Sequence, residues 1–189
     1  MPPYDIGVAD PPWKFKTWSQ TNQDIGKGAV AHYDLMTLDD IKALPIYDLL
    51  AKHAFFFLWT TGWAMATGQA HDVARAWGLK PQTESVWRKI TKNGKVRVGT
   101  GYIARSMHEP ILICTKGKPG RLGFPSCFDG LAREHSRKPD EFYERLRKLT
   151  PGKHRADLFS GGHDHSGFDG WGEKHPGKQR VSDFAQAAE

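Results

Sequence analysis

Cysteine is almost missing: Cys114 and Cys127 are the only two in 189 residues, which excludes a disulfide scaffold. Long apolar runs are missing as well. The longest, around Ala54–Trp59, has the length of a strand and falls far short of the roughly 18 residues of a membrane-spanning helix. Met1–Asp5 has neither the basic start nor the apolar stretch of a secretory leader, so a cytoplasmic protein with no membrane association is expected. No internal repeat and no linker-like stretch divides the chain. One domain over residues 1–174 followed by a polar tail over 175–189 is the expectation. A hydrophobic fraction of 39%, a charged fraction of 25% and a mean hydropathy of −0.58 describe a soluble globular chain and exclude a disordered or fibrous one.

Acidic residues are scarce in one place. Between Arg88 and Arg121 stand nine basic residues against a single acid, Glu109, a local charge of +8 in a chain whose total is +6. Such a segment is either a solvated face or a surface for a polyanion. The second reading nominates Lys92, Lys95, Arg97, Arg105 and Arg121 as nucleic-acid contacts.

Strand and helix signals alternate. Tyr4–Ala9 reads as a buried strand that runs directly into Asp10-Pro11-Pro12-Trp13, and the polar stretch Lys14–His32 reads as a loop. Thr37 and Asp40 have the spacing of a capping box. Ala54–Thr60 is apolar throughout, as strands buried on both faces are. One helix is predicted from Trp63 to Trp77, with Gly78 as its stop. Thr83–Arg88, Glu109–Thr115 and Arg155–Phe159 are further strands, and Pro139 suits the first position of a helix whose acids precede its bases. The alternation gives an α/β fold with a largely parallel central sheet flanked by helices. Ligands of such sheets bind beyond the carboxyl ends of strands, so Asp10–Trp13, Thr60-Thr61 and Ser160–His163 are expected to converge on one edge.

Asp10-Pro11-Pro12-Trp13 suits a planar base that carries an exocyclic amine. Such a nitrogen is a poor nucleophile because its lone pair is delocalised into the ring. Accepting both of its N–H groups localises that lone pair. Asp10 can accept one when ionised and the Pro11 carbonyl the other, while Pro11 and Pro12 stiffen the backbone and remove competing donors. Trp13 offers a flat face for stacking. A strand-ending turn with a core tryptophan would use the same residues.

The chain resembles the MT-A70 family of adenine-N6 methyltransferases. The resemblance is carried, in family order, by Asp10–Trp13, Tyr33–Met36, Phe57–Thr61, Trp87–Lys89, His108–Leu112, Arg133–Glu141, Asp157–Phe159 and Gly170–Glu173. It implies a Rossmann-like methyltransferase fold, S-adenosyl-L-methionine as cofactor, and adenine in nucleic acid as substrate. Position by position, it places the target amine on Asp10 and Pro11, Tyr33 beside the active site, and Lys138 on the cofactor carboxylate. His163 and Asp164 fall on the family's ribose-contacting segment, and Gly172-Glu173 stands where Gly-Asn is frequent. The family's ribose-binding arginine is replaced within Ser160-Gly161, and the glycine-rich turn there lets backbone approach a nucleoside closely. Nothing upstream of Tyr4 supplies the adenine-binding segment of longer members.

DNA is expected ahead of RNA, because the chain is compact and has no appended RNA-binding module, as in small bacterial or phage-type members. Target specificity then falls to loops such as Lys14–His32 and Thr91–Gly101. A non-catalytic nucleic-acid-binding subunit of the same fold is the competing class, and a homodimer or partner subunit is compatible with the sequence. The completeness of Asp10–Trp13 and Lys138 favours catalysis. The histidines around His163-Asp164-His165 match no zinc-ligand spacing, so no metal is expected. Cys114 reads as an inert buried thiol, and Trp59, Trp63, Trp77 and Trp87 as core.

Overall fold

The computed structural model describes residues 3–13, 36–101, 103–134, 137–160 and 165–171. Strands β1 (Tyr4–Ala9), β2 (Leu50–Trp59), β3 (Lys80–Ile90), β4 (His108–Lys116), β5 (Cys127–Leu131), β6 (Arg155–Leu158) and β7 (Asp169–Trp171) form one sheet in the order β5-β3-β4-β2-β1-β6-β7. β1 runs parallel to β2 and β6, β6 to β7, and β3 to β5. Only β4 is antiparallel, to β2 on one side and β3 on the other. The sheet is therefore largely parallel and Rossmann-like, as the sequence predicts. Helices α1 (Leu38–Lys42), α2 (Ile46–Leu49), α3 (Gly62–Ala66), α4 (Gln69–Ala76) and α5 (Asp140–Leu149) complete the fold.

The period-two alternation of strands separates two cores. Ile6 and Val8 of β1, Phe57 and Trp59 of β2, Ile111 and Ile113 of β4 and Trp87 of β3 pack with Phe142, Tyr143 and Leu146 of α5. Their neighbours Ala9, Phe56, Leu58, Leu112 and Cys114 point to the other face, against Ile41, Ala70, Val73 and Trp77. Trp77 is fixed there by its indole N–H, which donates to the Ile41 carbonyl at 2.7 Å.

Local signals act where the sequence puts them, with some corrections. Thr37 caps α1: its hydroxyl accepts from the Asp40 amide at 3.1 Å, and the Asp40 carboxylate accepts from the Thr37 amide at 3.2 Å. The single helix expected over 63–77 is two helices, because Gly68 adopts a left-handed φ of 78° and starts α4 anew. Trp63, expected in the core, is 45% exposed on the short α3. Pro139 is the N-cap of α5, one position earlier than expected. Phe159 leaves β6 with a φ of 67° and belongs to the turn. Strands β5 and β7 carry no apolar pattern that would announce them; both are short edge strands held by backbone pairing.

Phe142 joins α5 to the sheet. Its ring lies 5.0–6.1 Å from those of Phe57, Trp59, Phe124, Phe128 and Tyr143. Phe142→Ala should cost about 3–5 kcal/mol of folding stability through transfer and cavity terms. Urea unfolding should show this as a lower midpoint at unchanged slope.

Candidate active site

Strand register brings the site together. Ala9 pairs with Leu58 and Leu158, so β1, β2 and β6 end at one level. Because β4 is antiparallel, its amino end arrives at that level: Trp59 pairs with Ile111, and Trp87 with Glu109. Asp10, Thr60, Ser160, Glu109 and Lys89 therefore share one edge. The expected convergence of Asp10, Thr60 and Ser160 is present. Glu109 and Lys89 join them and were not predicted as site residues. Alternation had placed both: Lys89 lies two residues beyond Trp87 and Glu109 two before Ile111, on the face that packs against α5.

Lys138 sits at the centre. Its ammonium is 2.7 Å from Asp10 Oδ2 and 2.9 Å from Glu109 Oε2, and the other Glu109 oxygen is 2.6 Å from Lys89 Nζ. The ammonium also lies 5.0 Å from the centre of the Trp59 ring, on the strand between those of Glu109 and Asp10. Lys138 is held there by its chain neighbour. Gly130 of β5 has no side chain, and a Cβ built on it would meet Pro139 Cβ at 2.6 Å and Trp87 Nε1 at 2.8 Å. That close approach seats the start of α5 on the sheet edge, and Trp87 donates to the Gly130 carbonyl at 2.8 Å.

Asp10, Glu109 and Lys138 titrate unequally. Burial works against the ionised form of Glu109, but Lys138 and Lys89 outweigh it and hold the carboxyl at about 2. Burial raises Asp10 above its ordinary 3.8, and Lys138 only partly offsets this while Glu109 adds to it. Burial would lower Lys138, yet Asp10 and Glu109 together raise it. The lysine is thus a fixed cation, Glu109 a fixed anion, and Asp10 the responsive end.

Pro11 and Trp13 differ from the sequence-based picture. The Pro11 carbonyl already accepts from the Trp13 amide at 2.8 Å, leaving one lone pair for a ligand. Trp13 is buried in the core, and its indole N–H donates to the Trp59 carbonyl at 3.1 Å. It fastens the end of β1 to the end of β2 and leaves no open face for a base. Pro12 accepts from Met36, which closes the chain onto this turn.

Beneath Asp10 lies a second buried acid. Asp157 of β6 is pushed up to about 8 by burial, with Asp10 adding to the shift and Tyr143 and Lys138 opposing it. The Tyr143 ring stacks on His165 at 3.4 Å between centres, and His165 Nε2 is 3.8 Å from Asp157 Oδ2. Asp157 Oδ2, Thr60 Oγ1 and Ser160 Oγ are buried without a hydrogen-bond partner.

The basic candidates divide. Lys92, Lys95, Arg97 and Arg105 lie in the exposed connection between β3 and β4, at the Asp10 edge. Arg121 is at the opposite end of the sheet, lining a small cleft with Asp5, His53 and Lys153, and does not join them. Tyr33, Gly161, His163, Asp164, Gly172 and Glu173 lie outside the described residues. Among the described residues no group of three metal-ligating side chains occurs, and no helix is long and apolar enough to cross a membrane. Burial pushes the Cys114 thiol up to about 12, consistent with an inert position.

Asp157 links the site to stability. The unfolded chain loses this proton near the ordinary 3.8, whereas the folded chain keeps it to about 8. Stability should therefore fall as pH rises between those values. Asp157→Asn has no proton to lose, so its melting temperature relative to the parent should be higher at pH 8 than at pH 5. Equal pH dependence in thermal scans would remove Asp157 as the cause.

Comparison with known proteins identifies the family. The MT-A70 family model matches residues 4–174. A putative N(6)-adenosine-methyltransferase MT-A70-like protein of Medicago truncatula is 30% identical, over 97% of this chain and 28% of its own length. The human N(6)-adenosine-methyltransferase catalytic subunit METTL3 is 30% identical over 85% of this chain and 26% of its own. Type II methyltransferase M.MunI of a Mycoplasma species is 25% identical, over 92% of this chain and 78% of its own. The chain thus spans about a quarter of the length of the N6-adenosine-methyltransferases it matches. With the family model covering nearly the whole sequence, the chain belongs to the MT-A70 family.

Proposed function

We propose that this chain transfers a methyl group from S-adenosylmethionine to the N6 amine of adenine in nucleic acid, with DNA ahead of RNA. The observation that carries the reading is Asp10 held by Lys138 at the carboxyl edge of the sheet. The preference for DNA leans on the type II methyltransferase, a relative matched along 78% of its own length.

The residues at this edge fit a polar cofactor. Ser160 Oγ and Thr60 Oγ1 are buried and lack partners, and Phe159 turns the chain with a φ of 67°, a conformation that non-glycine residues adopt at a cost and often at binding sites. Lys138 has three N–H donors; among the described residues Asp10 and Glu109 take two, and the cofactor carboxylate would take the third. Gly161, His163, Asp164, Gly172 and Glu173 complete the proposed cofactor set by resemblance, and Tyr33 the substrate side. When bound, S-adenosylmethionine supplies an electrophilic methyl group.

The chain's own contribution is to the amine. Asp10 Oδ2 is engaged by Lys138, which leaves Oδ1 to accept one N–H of the target. The remaining lone pair of the Pro11 carbonyl accepts the other. Both acceptors draw the nitrogen toward tetrahedral geometry and concentrate its lone pair. Lys138 favours the ionised form of Asp10 and partly offsets the burial that raises its pKa. The transfer would be a direct displacement with no covalent intermediate on the protein. The bond from N6 to the methyl carbon would form as the carbon–sulfur bond breaks, and the proton shed by N6 would leave through its hydrogen bond to Asp10 Oδ1.

The reading is tested by incubating DNA and RNA with the purified chain and S-adenosylmethionine, digesting to nucleosides, and identifying the modified base by mass. N6-methyladenine is expected; no methylated adenine in either polymer overturns the proposal. Asp10→Ala should lower turnover by about 10²–10³-fold, the scale of losing one positioned electrostatic group. In the parent, activity should fall as pH drops through the Asp10 pKa, at a midpoint above 3.8, because only the carboxylate accepts. Lys138→Ala should weaken cofactor binding by about 1.5–3 kcal/mol, measured by calorimetry, as a charged hydrogen bond is lost. An unchanged dissociation constant would take Lys138 out of the cofactor site.

A further inference from the structure

The connection between β3 and β4 combines two properties that the proposed reaction does not explain. Residues 91–107 contain four bases and no acid. They also display large apolar side chains to solvent: Ile103 is 97% exposed, Val98 61% and Met107 41%. Apolar groups so exposed carry a hydration cost, and here they share one loop with cations.

Backbone hydrogen bonds tie the described residues of this connection into an arm. The Arg97 amide donates to the Lys89 carbonyl at 2.8 Å, the Gly99 amide to Ser106 at 2.7 Å and the Ser106 amide back to Thr100 at 3.1 Å. Arg97 also donates through its guanidinium to the Arg133 carbonyl at 3.3 Å. At its base stand Lys89 and Glu109, paired at 2.6 Å, and Glu109 is itself bound to Lys138 beside Asp10. The arm therefore grows out of the active-site charge chain. Three strand steps separate β3 from β1 in the sheet order, so its root stands about 14 Å from Asp10 along the edge.

An adenine inside a duplex cannot present its amine to Asp10 without leaving the stack. Removal of a base leaves a gap in the stack, and apolar side chains can enter between base steps. We propose that Ile103, at the tip of this arm, is the wedge that enters the base stack when the target adenine is withdrawn, with Lys92, Lys95, Arg97 and Arg105 holding the flanking phosphates. The occupant is a nucleic-acid duplex and not a protein, because lysine is depleted in the core of protein interfaces and the arm carries cations unopposed by any acid. The inference rests on the adenine-methylation reading and deepens it.

The test compares methylation rates on a duplex, on the same target strand unpaired, and on a duplex with an abasic site opposite the target adenine. A single strand needs no wedge. Ile103→Ala should slow methylation of the duplex by about tenfold or more, leave the unpaired strand within about twofold, and recover on the abasic duplex. Lys92, Lys95 and Arg97 changed together to Ala should instead weaken binding to both forms and flatten the salt dependence of duplex affinity by about 2–3 in log–log slope. Equal loss on duplex and single strand with Ile103→Ala, or no loss on either, overturns the wedge. So does a change in oligomeric state by light scattering with the duplex rate unaffected, which would make the tip a protein contact. If the parent methylates only unpaired strands, the wedge fails and the proposed reaction stands; if it methylates no adenine at all, both fail.

Discussion

The Lys138 ammonium, lodged between Asp10 and Glu109, is the contact on which the rest of the site depends. Two carboxylates at the ends of β1 and β4, with one strand between them, would repel each other and resist burial, and the common outcome is protonation of one of them. A single cation between them opposes that outcome, fully at Glu109 and partly at Asp10. Removing one member of such a buried set is expected to cost about 3–5 kcal/mol, since it strands a charge. Lys89 then satisfies the second oxygen of Glu109, so the chain of charges alternates in sign from β3 to β1. Because Glu109 has two cations and Asp10 has one, the network is polarised toward Asp10. That asymmetry leaves one carboxylate oxygen of Asp10 without a cation among the described residues.

Holding that cation in place takes much of the fold. Lys138 precedes the N-cap of α5, and α5 is anchored by Phe142 within a cluster of aromatic rings and by the close approach of Pro139 to Gly130. The antiparallel β4 is equally necessary. Run in the parallel sense, it would present Lys116 at this edge and send Glu109 to the far end of the sheet. The one departure from parallel topology is thus what supplies the counter-charge.

The long buried strands, the capping box at Thr37, α5 and the convergence of Asp10, Thr60 and Ser160 were legible because each rests on a local signal: an apolar run, a side-chain cap, or a strand end. The direction of β4 was not, since Glu109–Thr115 reads the same in either sense and only its partners decide. Glu109 and Lys89 were missed as site residues for that reason, although both lay within quoted motif blocks and on the right alternation. Trp13 read as a stacking face because its sequence neighbours belong to the site; its ring turns inward because the Trp59 carbonyl at the end of β2 offers a buried acceptor. The helix break at Gly68 and the exposure of Trp63 reflect one left-handed glycine that apolar spacing cannot reveal.

The distribution of unmet polar groups carries the argument a step further. Among the described residues, the buried side-chain atoms without partners include Trp59 Nε1, Thr60 Oγ1, Asp157 Oδ2 and Ser160 Oγ. All four belong to residues at the carboxyl ends of β2 and β6, next to β1 and Asp10. Each such group costs about 1–3 kcal/mol when left unsatisfied, and the left-handed Phe159 between two of them adds backbone strain. A sheet edge selected only for stability would satisfy or delete these groups. Their concentration beside a partly protected carboxylate is the pattern of an edge shaped for a polar ligand, whose hydrogen bonds would recover the free energy that the folded chain leaves unclaimed there.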